Sequence, residues 1–460
     1  EPTIGIHELL AIHCLRTDEP SDLDTPLESI ECMIQALQSE ALTPEEQALG
    51  SFTRRKLKNL STWPLWKEAE IKQLDQFHDL GMYGQPCKRP PGAIVLPPHW
   101  QYRVKTNGTR RSRNCCDGSP RAAPALHRLA QTYASCIEQP CFRLFTALST
   151  ALLYTIYAGD ACDAFAHSPA PRVPTYLRIN DAFAEWYEQR FHKPVDRNHV
   201  LPIQHALQGH PESARLWDEH ITGILMAIGF KNTKHERNLY VAHIDGTMIL
   251  LARQVDDFAL ASPSPALAAK VFDQIGAALQ LPGEDKPPFK NLGVVDSFNG
   301  VDVLQTRDYN KISCESYLNR LLKGHSWETP AQDEPKPGSR PTEPLSPSVI
   351  KELYTTPGSP EHTKEHGILE TQMGYSYRSL LGEIMYAYVV ARPDIGYAVT
   401  TLAKFSKAPA RVHYQCLKRL ALYLRQTIDW GIIYWRPSPL SDLPVIPFLG
   451  PTYDSTLPSF

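Results

Sequence analysis

Three aspartates of this chain have the spacing expected of metal ligands in phosphoryl transfer. Asp256 and Asp257 are adjacent and lie between two apolar, β-rich runs, and Asp160 lies upstream at the end of another apolar run. Phosphoryl transfer with two Mg²⁺ ions needs clustered acidic oxygens that leave coordination positions open for a triphosphate and an attacking hydroxyl. The pattern therefore predicts that Asp160, Asp256 and Asp257 bind two Mg²⁺ (or Mn²⁺) ions at a nucleotidyl-transfer site.

The elements around the aspartate pair are predicted to be antiparallel strands. Residues 239–244 are a strand candidate, Asp245-Gly246 is a strong hairpin-turn signal, and the second strand covers residues 247–254. A third strand is predicted over residues 258–261, so the aspartate pair occupies the turn before it. Two carboxylates at a turn repel each other unless a cation or a base neutralises them. Because aspartate also favours ordinary turns, the metal prediction depends on the third aspartate as well.

The run before Asp160 is predicted to be a buried strand over residues 150–158, which brings the carboxylate to the strand end. Phe165 follows shortly afterwards. In a polymerase such a ring can lie under the sugar of the incoming nucleotide and exclude a 2′-hydroxyl. An ordinary core aromatic residue is the alternative.

A series of short blocks along the chain points to one family. In order, the blocks are residues 66–74, 102–113, 160–165, 206–217, 291–293 with 299–300, 377–386, 391–395 and 413–424. Together they resemble the reverse transcriptase region of a copia-type long-terminal-repeat retrotransposon polyprotein, over roughly residues 50–435. The resemblance implies an α+β fold, a palm-type polymerase right hand with fingers, palm and thumb/connection subdomains. Its central antiparallel sheet would be flanked by helices.

The resemblance also implies an activity and residue roles. The activity is RNA-directed DNA polymerisation, in which a nucleotide from dNTP is joined to a primer 3′-hydroxyl on an RNA or DNA template. The catalytic residues would be the three aspartates. Nucleotide-binding residues are expected at Lys105, Arg110, Arg111 and Phe165, and template or primer contacts at Gln208, Arg215, Gln254, Asn299 and Gly300. Arg113 lies on the same predicted basic hairpin, whose turn is Asn107-Gly108.

Two departures from the family pattern leave alternatives open. Gln254 stands where the family usually has an aromatic residue, and Glu212 stands near a position where the family commonly has a glutamine. A decayed or domesticated element that binds nucleic acid without polymerising it is the first alternative. A non-enzymatic interaction module that keeps the palm fold is the second. Retention of all three carboxylates favours the polymerase, because an idle cluster of negative charge has no evident structural benefit.

Composition sets further limits. The net charge of −3 shows no general basic character, so nucleic acid would have to be bound by local clusters of lysine and arginine. The ten cysteines show neither a disulfide framework nor zinc-site spacing, which predicts reduced thiols. No signal peptide or membrane segment is recognised. The expected partners are a template–primer, dNTP and the remainder of a Gag-Pol-like polyprotein. The expected location is cytoplasmic, in a virus-like particle, or nuclear.

The forty prolines mark the expected domain boundaries. The predicted organisation is an acidic leader or upstream remnant over residues 1–50, fingers and palm over 51–327, a Pro-rich linker over 328–366, thumb/connection-like helices over 367–436, and a truncated start of an RNase H-like segment over 437–460. Asp454 is a candidate for the first acidic residue of that last segment.

Overall fold

The computed structural model describes residues 42–105, 108–129, 132–330 and 341–437. The described residues form two compact units. The first, called the sheet unit here, contains residues 42–138 and 156–293, and the second, called the helical unit, contains residues 139–155 and 294–437. Nearly all of the predicted leader and RNase H-like segment, including Asp454, lies outside the described residues.

Helices and strands alternate irregularly along the chain. The α-helices are α1 (Pro44–Gln47), α2 (Arg54–Leu57), α3 (Trp63–Asp79), α4 (Pro124–Leu129), α5 (Gln139–Ala151), α6 (Asp181–Phe191), α7 (Ser213–Ile228), α8 (Pro265–Leu279), α9 (Glu315–Gly324), α10 (Ile350–Thr355), α11 (Lys364–Met373), α12 (Tyr377–Val390), α13 (Gly396–Ala403) and α14 (Arg411–Gln426). The strands are β1 (Cys87–Lys88), β2 (Ile94–Leu96), β3 (Pro98–Val104), β4 (Arg110–Cys116), β5 (Thr155–Ala161), β6 (Thr175–Arg178), β7 (His199–Pro202), β8 (Lys231–Asn232), β9 (Leu239–Ile244), β10 (Thr247–Gln254), β11 (Asp257–Ser262), β12 (Phe289–Val294), β13 (Ser297–Phe298), β14 (Val301–Gln305), β15 (Tyr309–Ser313) and β16 (Gly431–Trp435).

A six-stranded sheet, with strand order β12-β5-β11-β10-β9-β8, is the centre of the sheet unit. Strands β9 and β10 have the predicted bounds, and they pair antiparallel from Thr247 opposite Ile244. Asp245 (φ 52°) and Gly246 (φ 76°) form the predicted turn between them, because both positions need a positive φ and glycine and aspartate tolerate it. Helices α7 and α8 flank the sheet, as the predicted α+β fold requires.

The predicted strand over residues 150–158 is wrong in its first half. Helix α5 continues to Ala151, and strand β5 begins only at Thr155. Along α5 the buried residues are spaced by three and four, which is helical periodicity: Phe142, Phe145, Thr146, Ser149 and Thr150. The hydroxyls of the last three donate to the carbonyl four residues earlier, so the hydrogen-bonding needs of these polar side chains are met within the helix.

Two smaller sheets complete the sheet unit. Strands β3 and β4 pair as an antiparallel hairpin, called the fingers hairpin here, and helix α3 packs against it through the buried Trp66. A four-stranded sheet, with order β1-β7-β6-β2, lies over a core that includes Leu177, Leu201 and Trp186. The predicted basic hairpin is therefore present, and a helix supports one of its faces.

The helical unit consists of a four-stranded sheet, with order β13-β14-β15-β16, and helices α5 and α9 to α14. The turn after α12 is held by Arg392, which is 1% exposed, pairs with Asp394 at 2.8 Å and donates to the carbonyl of Thr427 at 2.8 Å. The range predicted as a linker contains a 3₁₀ helix, Pro347–Val349, and helix α10, whose Leu353 is buried. Proline content did not indicate these helices, because proline is tolerated in a first helical turn. The predicted domain boundaries at 327 and 366 stay predictions.

No helix in the part of the chain that the structure describes is long and apolar enough to cross a membrane.

Candidate active site

The aspartate pair lies at the tip of the β10–β11 hairpin. Gln254 is opposite Asp257 in the ladder, so the turn contains only Val255 and Asp256, and Asp257 already belongs to β11. Val255 has a φ of 54°. A β-branched residue is strained at positive φ, so this turn needs support from its surroundings.

Buried polar side chains supply that support. The indole Nε1 of Trp217 donates to the carbonyl of Val255 at 2.7 Å, and Nη1 of Arg253 donates to the same oxygen at 3.3 Å. Arg253 is 1% exposed and forms an ion pair with Asp218 on α7. Its Nη2 also donates to Oδ1 of Asn238 at 2.6 Å. These contacts fix the turn to helix α7 and to the start of β9.

Sequence reasoning missed Arg253, Asp218 and Asn238 as parts of the site. One signal was present, since an arginine within the apolar run of β10 needs a charged partner if that run is buried. The identity of the partner could not be read from the sequence, because Asp218 lies on a helix far from Arg253 along the chain.

Strand β5 places Asp160 beside the pair. It neighbours β11 in the sheet, and the amide of Ala161 donates to the carbonyl of Asp256 at 2.9 Å. Before Asp160, Gly159 lies under an aromatic ring, where a Cβ atom would be 2.6 Å from Cε1 of Phe289. The structure therefore brings the three predicted aspartates together, and we call them the acidic trio.

The pKa values of Asp256 and Asp257 are both raised above the usual range of an aspartate. Burial and, after it, the charges of Asp256 and Asp160 together raise the pKa of Asp257 to about 7. Desolvation of its carboxyl group also raises the pKa of Asp256, and the charge of Asp160 adds to the increase. Arg113 and Arg111 act in the opposite direction on Asp256. A bound cation would relieve this repulsion.

The donor set fits a hard divalent cation, although the cation's site is not complete in the protein alone. Within the described ranges, no three His, Cys, Asp or Glu side chains form a ready-made metal cluster. Mg²⁺ is usually bound by one or two carboxylates together with substrate phosphates, and its ligands are oxygens. The acidic trio therefore suits a metal site that the triphosphate of a nucleotide completes.

The fingers hairpin contributes cations from one of its faces. Arg103 lies opposite Arg111 in the ladder, and Arg113 follows two residues later on the same side. Desolvation lowers the pKa of Arg103 and of Arg113, and the neighbouring charge of Arg111 lowers both further. The charges of Arg111 and Arg113 also lower the pKa of Asp256, so this arginine face lies near the acidic trio.

Arg110, a predicted nucleotide contact, lies on the other face of the same strand. Its Nη2 pairs with Oε2 of Glu46 at 2.7 Å, and its Nη1 donates to the carbonyl of Gly108 at 2.7 Å. Lys105 is at the end of β3, where its backbone amide donates to the carbonyl of Thr109 at 2.8 Å. The structure thus brings Arg111, but not Arg110, toward the acidic trio, and sequence reasoning gave Arg103 no role.

The remaining predicted residues of the sheet unit have structural contacts. Phe165 is half-buried in the turn after β5, and Gln254 is buried and accepts a hydrogen bond from the amide of Ile137 at 3.0 Å. The carbonyl of Gln208 accepts from the amide of Cys116 at 2.9 Å. Arg215 pairs with Glu219 on α7 at 2.8 Å. Their roles toward nucleotide, template or primer stay predictions.

Asn299 and Gly300, the last two predicted contacts, belong to the helical unit. They form the two-residue turn between β13 and β14, with φ values of 50° and 74°.

Glu212, the departure noted in the sequence, is 3% exposed, and its Oε2 accepts from the amide of Val173 at 3.4 Å. Its carboxylate is therefore held inside the sheet unit by a structural contact.

The family model for reverse transcriptase (RNA-dependent DNA polymerase) matches residues 86–329 of this chain. The chain belongs to the reverse transcriptase family. This membership confirms the predicted fold and the resemblance to copia-type reverse transcriptases, and it implies a polymerase that depends on a divalent metal ion. The matched range of this reverse transcriptase includes the acidic trio and the arginine face of the fingers hairpin.

Two relatives of the reverse transcriptase come from transposons. A transposon Ty5-1 protein of Saccharomyces cerevisiae is 26% identical over 246 residues, which cover 53% of this chain and 70% of the yeast protein. The retrovirus-related Pol polyprotein from transposon RE1 of Arabidopsis thaliana is 25% identical over 245 residues, or 53% of this chain and 15% of the polyprotein. The chain thus spans a small part of such a polyprotein.

A solved structure of foamy viral protease-reverse transcriptase in complex with double-stranded DNA has a TM-score of 0.40 and 12% identity. The match covers 90% of this chain and 63% of the viral chain. At this score the likeness adds nothing to the family match.

Proposed function

We propose that this reverse transcriptase joins deoxynucleotides from dNTP to a primer 3′-hydroxyl on an RNA or DNA template. The observation that carries the proposal is the hydrogen bond between the amide of Ala161 and the carbonyl of Asp256, which joins the two carboxylate-bearing elements at one point. The arginine face of the fingers hairpin supplies positive charge next to that point. An acidic trio beside a set of arginines is the arrangement needed for a metal-assisted reaction on a triphosphate.

The acidic trio would hold two Mg²⁺ or Mn²⁺ ions, with Asp160 and Asp256 as ligands of both and Asp257 as a ligand of one. When bound, such ions lower the pKa of a primer hydroxyl and neutralise charge on the triphosphate. Burial raises the pKa of Asp257 to about 7, and a carboxyl group must lose its proton to bind a cation. Cation binding at Asp257 would therefore strengthen as the pH rises through about 7.

Other side chains bind and orient the nucleotide. Arg113 and Arg111 donate hydrogen bonds to the β- and γ-phosphates, for which the planar guanidinium is well suited. Phe165 lies under the sugar of the incoming nucleotide and selects against a 2′-hydroxyl. Trp217 and Arg253 hold the turn of the aspartate pair in place through their hydrogen bonds to the Val255 carbonyl.

The remainder of a Gag-Pol-like polyprotein is the proposed covalent context, and a cytoplasmic virus-like particle, or the nucleus, is the proposed location.

Primer extension on an RNA template tests the function. The protein is incubated with a DNA primer annealed to RNA, dNTP and Mg²⁺ or Mn²⁺, and an Asp160→Asn variant is run in parallel. Extension by the parent alone supports the proposal. Salt-dependent binding of the duplex without incorporation by the parent would instead favour a decayed element. No measurable affinity for the duplex would favour an interaction module.

A further inference from the structure

Residues 42–62, called the strap here, cover the outer face of the fingers hairpin. Leu42 and Leu57 of the strap share one core cluster with Trp66, Tyr102 and Val104. The strap lies outside the range of residues 86–329 that matches the family. Family membership therefore gives it no role, and its contacts have to be explained from the structure.

Glu46 makes the main polar contact between the strap and the hairpin. Its side chain is 0% exposed and accepts from Nη2 of Arg110 at 2.7 Å and from Nε at 3.2 Å. It also accepts from Oγ1 of Thr62 at 2.9 Å and from Nε1 of Trp66 at 3.0 Å. Burial alone would raise the pKa of Glu46, but these hydrogen bonds hold it below the usual value. Glu46 is therefore a buried anion whose strongest partner is a hairpin arginine.

A second contact ties the strap to the other strand of the hairpin. Glu70 of α3 accepts from the hydroxyl of Tyr102 at 2.5 Å and from Nε of Arg54 at 3.0 Å. Arg54 in turn pairs with Glu185 of α6 at 2.8 Å. One strand of the hairpin is thus held through Arg110 and the other through Tyr102, both on the face that turns away from the acidic trio.

The opposite face of the hairpin needs such an anchor. Arg103, Arg111 and Arg113 are close enough to influence one another's ionisation, and like charges on neighbouring strands repel. A two-stranded hairpin is also marginally stable without further packing. Because adjacent residues of a strand face opposite sides, fixing Arg110 on the outer face fixes the direction of Arg111 on the inner face.

We infer that the strap positions the fingers hairpin for triphosphate binding, with Glu46 acting as a positioning residue through Arg110. The inference deepens the proposed function and depends on it for the triphosphate. The mechanical part, in which the strap holds the hairpin, can be measured without any catalysis.

Hydrogen exchange of the full chain tests the mechanical part. Glu46→Gln removes the charge, and Glu45→Gln is the matched control, because Glu45 is its neighbour and accepts only from Ser61, in exposed contacts. We expect amides of β3 and β4 to exchange about tenfold faster in Glu46→Gln, with β10 and β11 unchanged, because one charge-assisted contact is lost. Equal exchange in the two variants, or a uniform increase over the whole sheet unit, overturns the inference.

Nucleotide affinity tests the positioning part. The dissociation constant of dNTP is measured from ternary-complex formation on a dideoxy-terminated primer, for the parent, Glu46→Gln, Arg110→Gln and the double variant. We expect about tenfold weaker dNTP binding in both single variants, no further loss in the double variant, and unchanged template–primer affinity. Weaker binding in Arg110→Gln alone would mean that Arg110 touches the nucleotide directly, which overturns the inference. A parent that binds no template–primer refutes the proposed function instead, and hydrogen exchange then decides the role of the strap.

Discussion

Replacing Arg253 by methionine should destabilise the sheet unit strongly. Arg253 is 1% exposed and Asp218 is 6% exposed, so the substitution leaves a buried carboxylate without its partner. Breaking a buried pair in this way typically costs about 3–5 kcal/mol. The Val255 carbonyl keeps its hydrogen bond from Trp217, so the turn loses one of two supports. The double variant Arg253→Met/Asp218→Asn removes both charges and should lose less than about half as much, because no unpaired charge stays buried.

Urea unfolding followed by tryptophan fluorescence measures both values, and primer extension at a temperature where each variant is folded measures the effect on the turn. A loss of less than about 1 kcal/mol in Arg253→Met would contradict this prediction, because the pair would then behave like an exposed one. A double variant that is as unstable as the single variant would also refute it, since an unpaired Asp218 would not be the cause.

Three further predictions concern the same unit. Burial lowers the pKa of His210 to about 4. Between this value and the usual pKa of about 6.5, the unfolded chain binds a proton that the folded protein does not, so the free energy of unfolding should fall by about 3 kcal/mol between pH 7 and pH 4. Urea unfolding of His210→Gln should lack this part of the loss. Gly209→Ala should lower the free energy of unfolding by more than about 1 kcal/mol, because Gly209 has a φ of 90° and a Cβ would overlap the Cys116 carbonyl. Gly223→Ala, in open space on α7, should be neutral or stabilising in the same assay. Millimolar Mg²⁺ together with dNTP should raise the melting temperature of the parent but not that of Asp256→Asn, because the intact trio and the triphosphate bind the cation together.

The sequence was most informative where local patterns decide the structure. The Asp245-Gly246 turn fixes the register of β9 and β10, and the aspartate pair then falls at the next hairpin tip. Asp160 could be added because an apolar run leads to it. Only the beginning of that run was misjudged, because Thr150 still belongs to α5, where its hydroxyl donates to the carbonyl of Thr146.

Long-range partners could not be predicted. Because side chains alternate between the two faces of β4, Arg110 is on one face and Arg111 and Arg113 are on the other. This alternation does not show which face lies near the acidic trio. The face that carries Arg110 is the one that pairs with Glu46, a residue far from the hairpin along the chain. Glu46 can be recognised as the partner of Arg110 only when α3 is packed against the hairpin. The pairing of Arg253 with Asp218 depends on tertiary packing in the same way.

Single-turnover incorporation of one deoxynucleotide tests whether the acidic trio is the site of nucleotide transfer. The rate is measured for the parent, for Asp256→Asn and for Asp245→Asn, a matched control at the preceding hairpin tip, with the affinity for template–primer measured on the same samples. We expect Asp256→Asn to lose at least about a thousandfold in rate at nearly unchanged affinity, because this carboxylate would hold the metal ions that act on the reacting phosphate. Asp245→Asn should keep the parental rate. Equal rates for the parent and Asp256→Asn would contradict it.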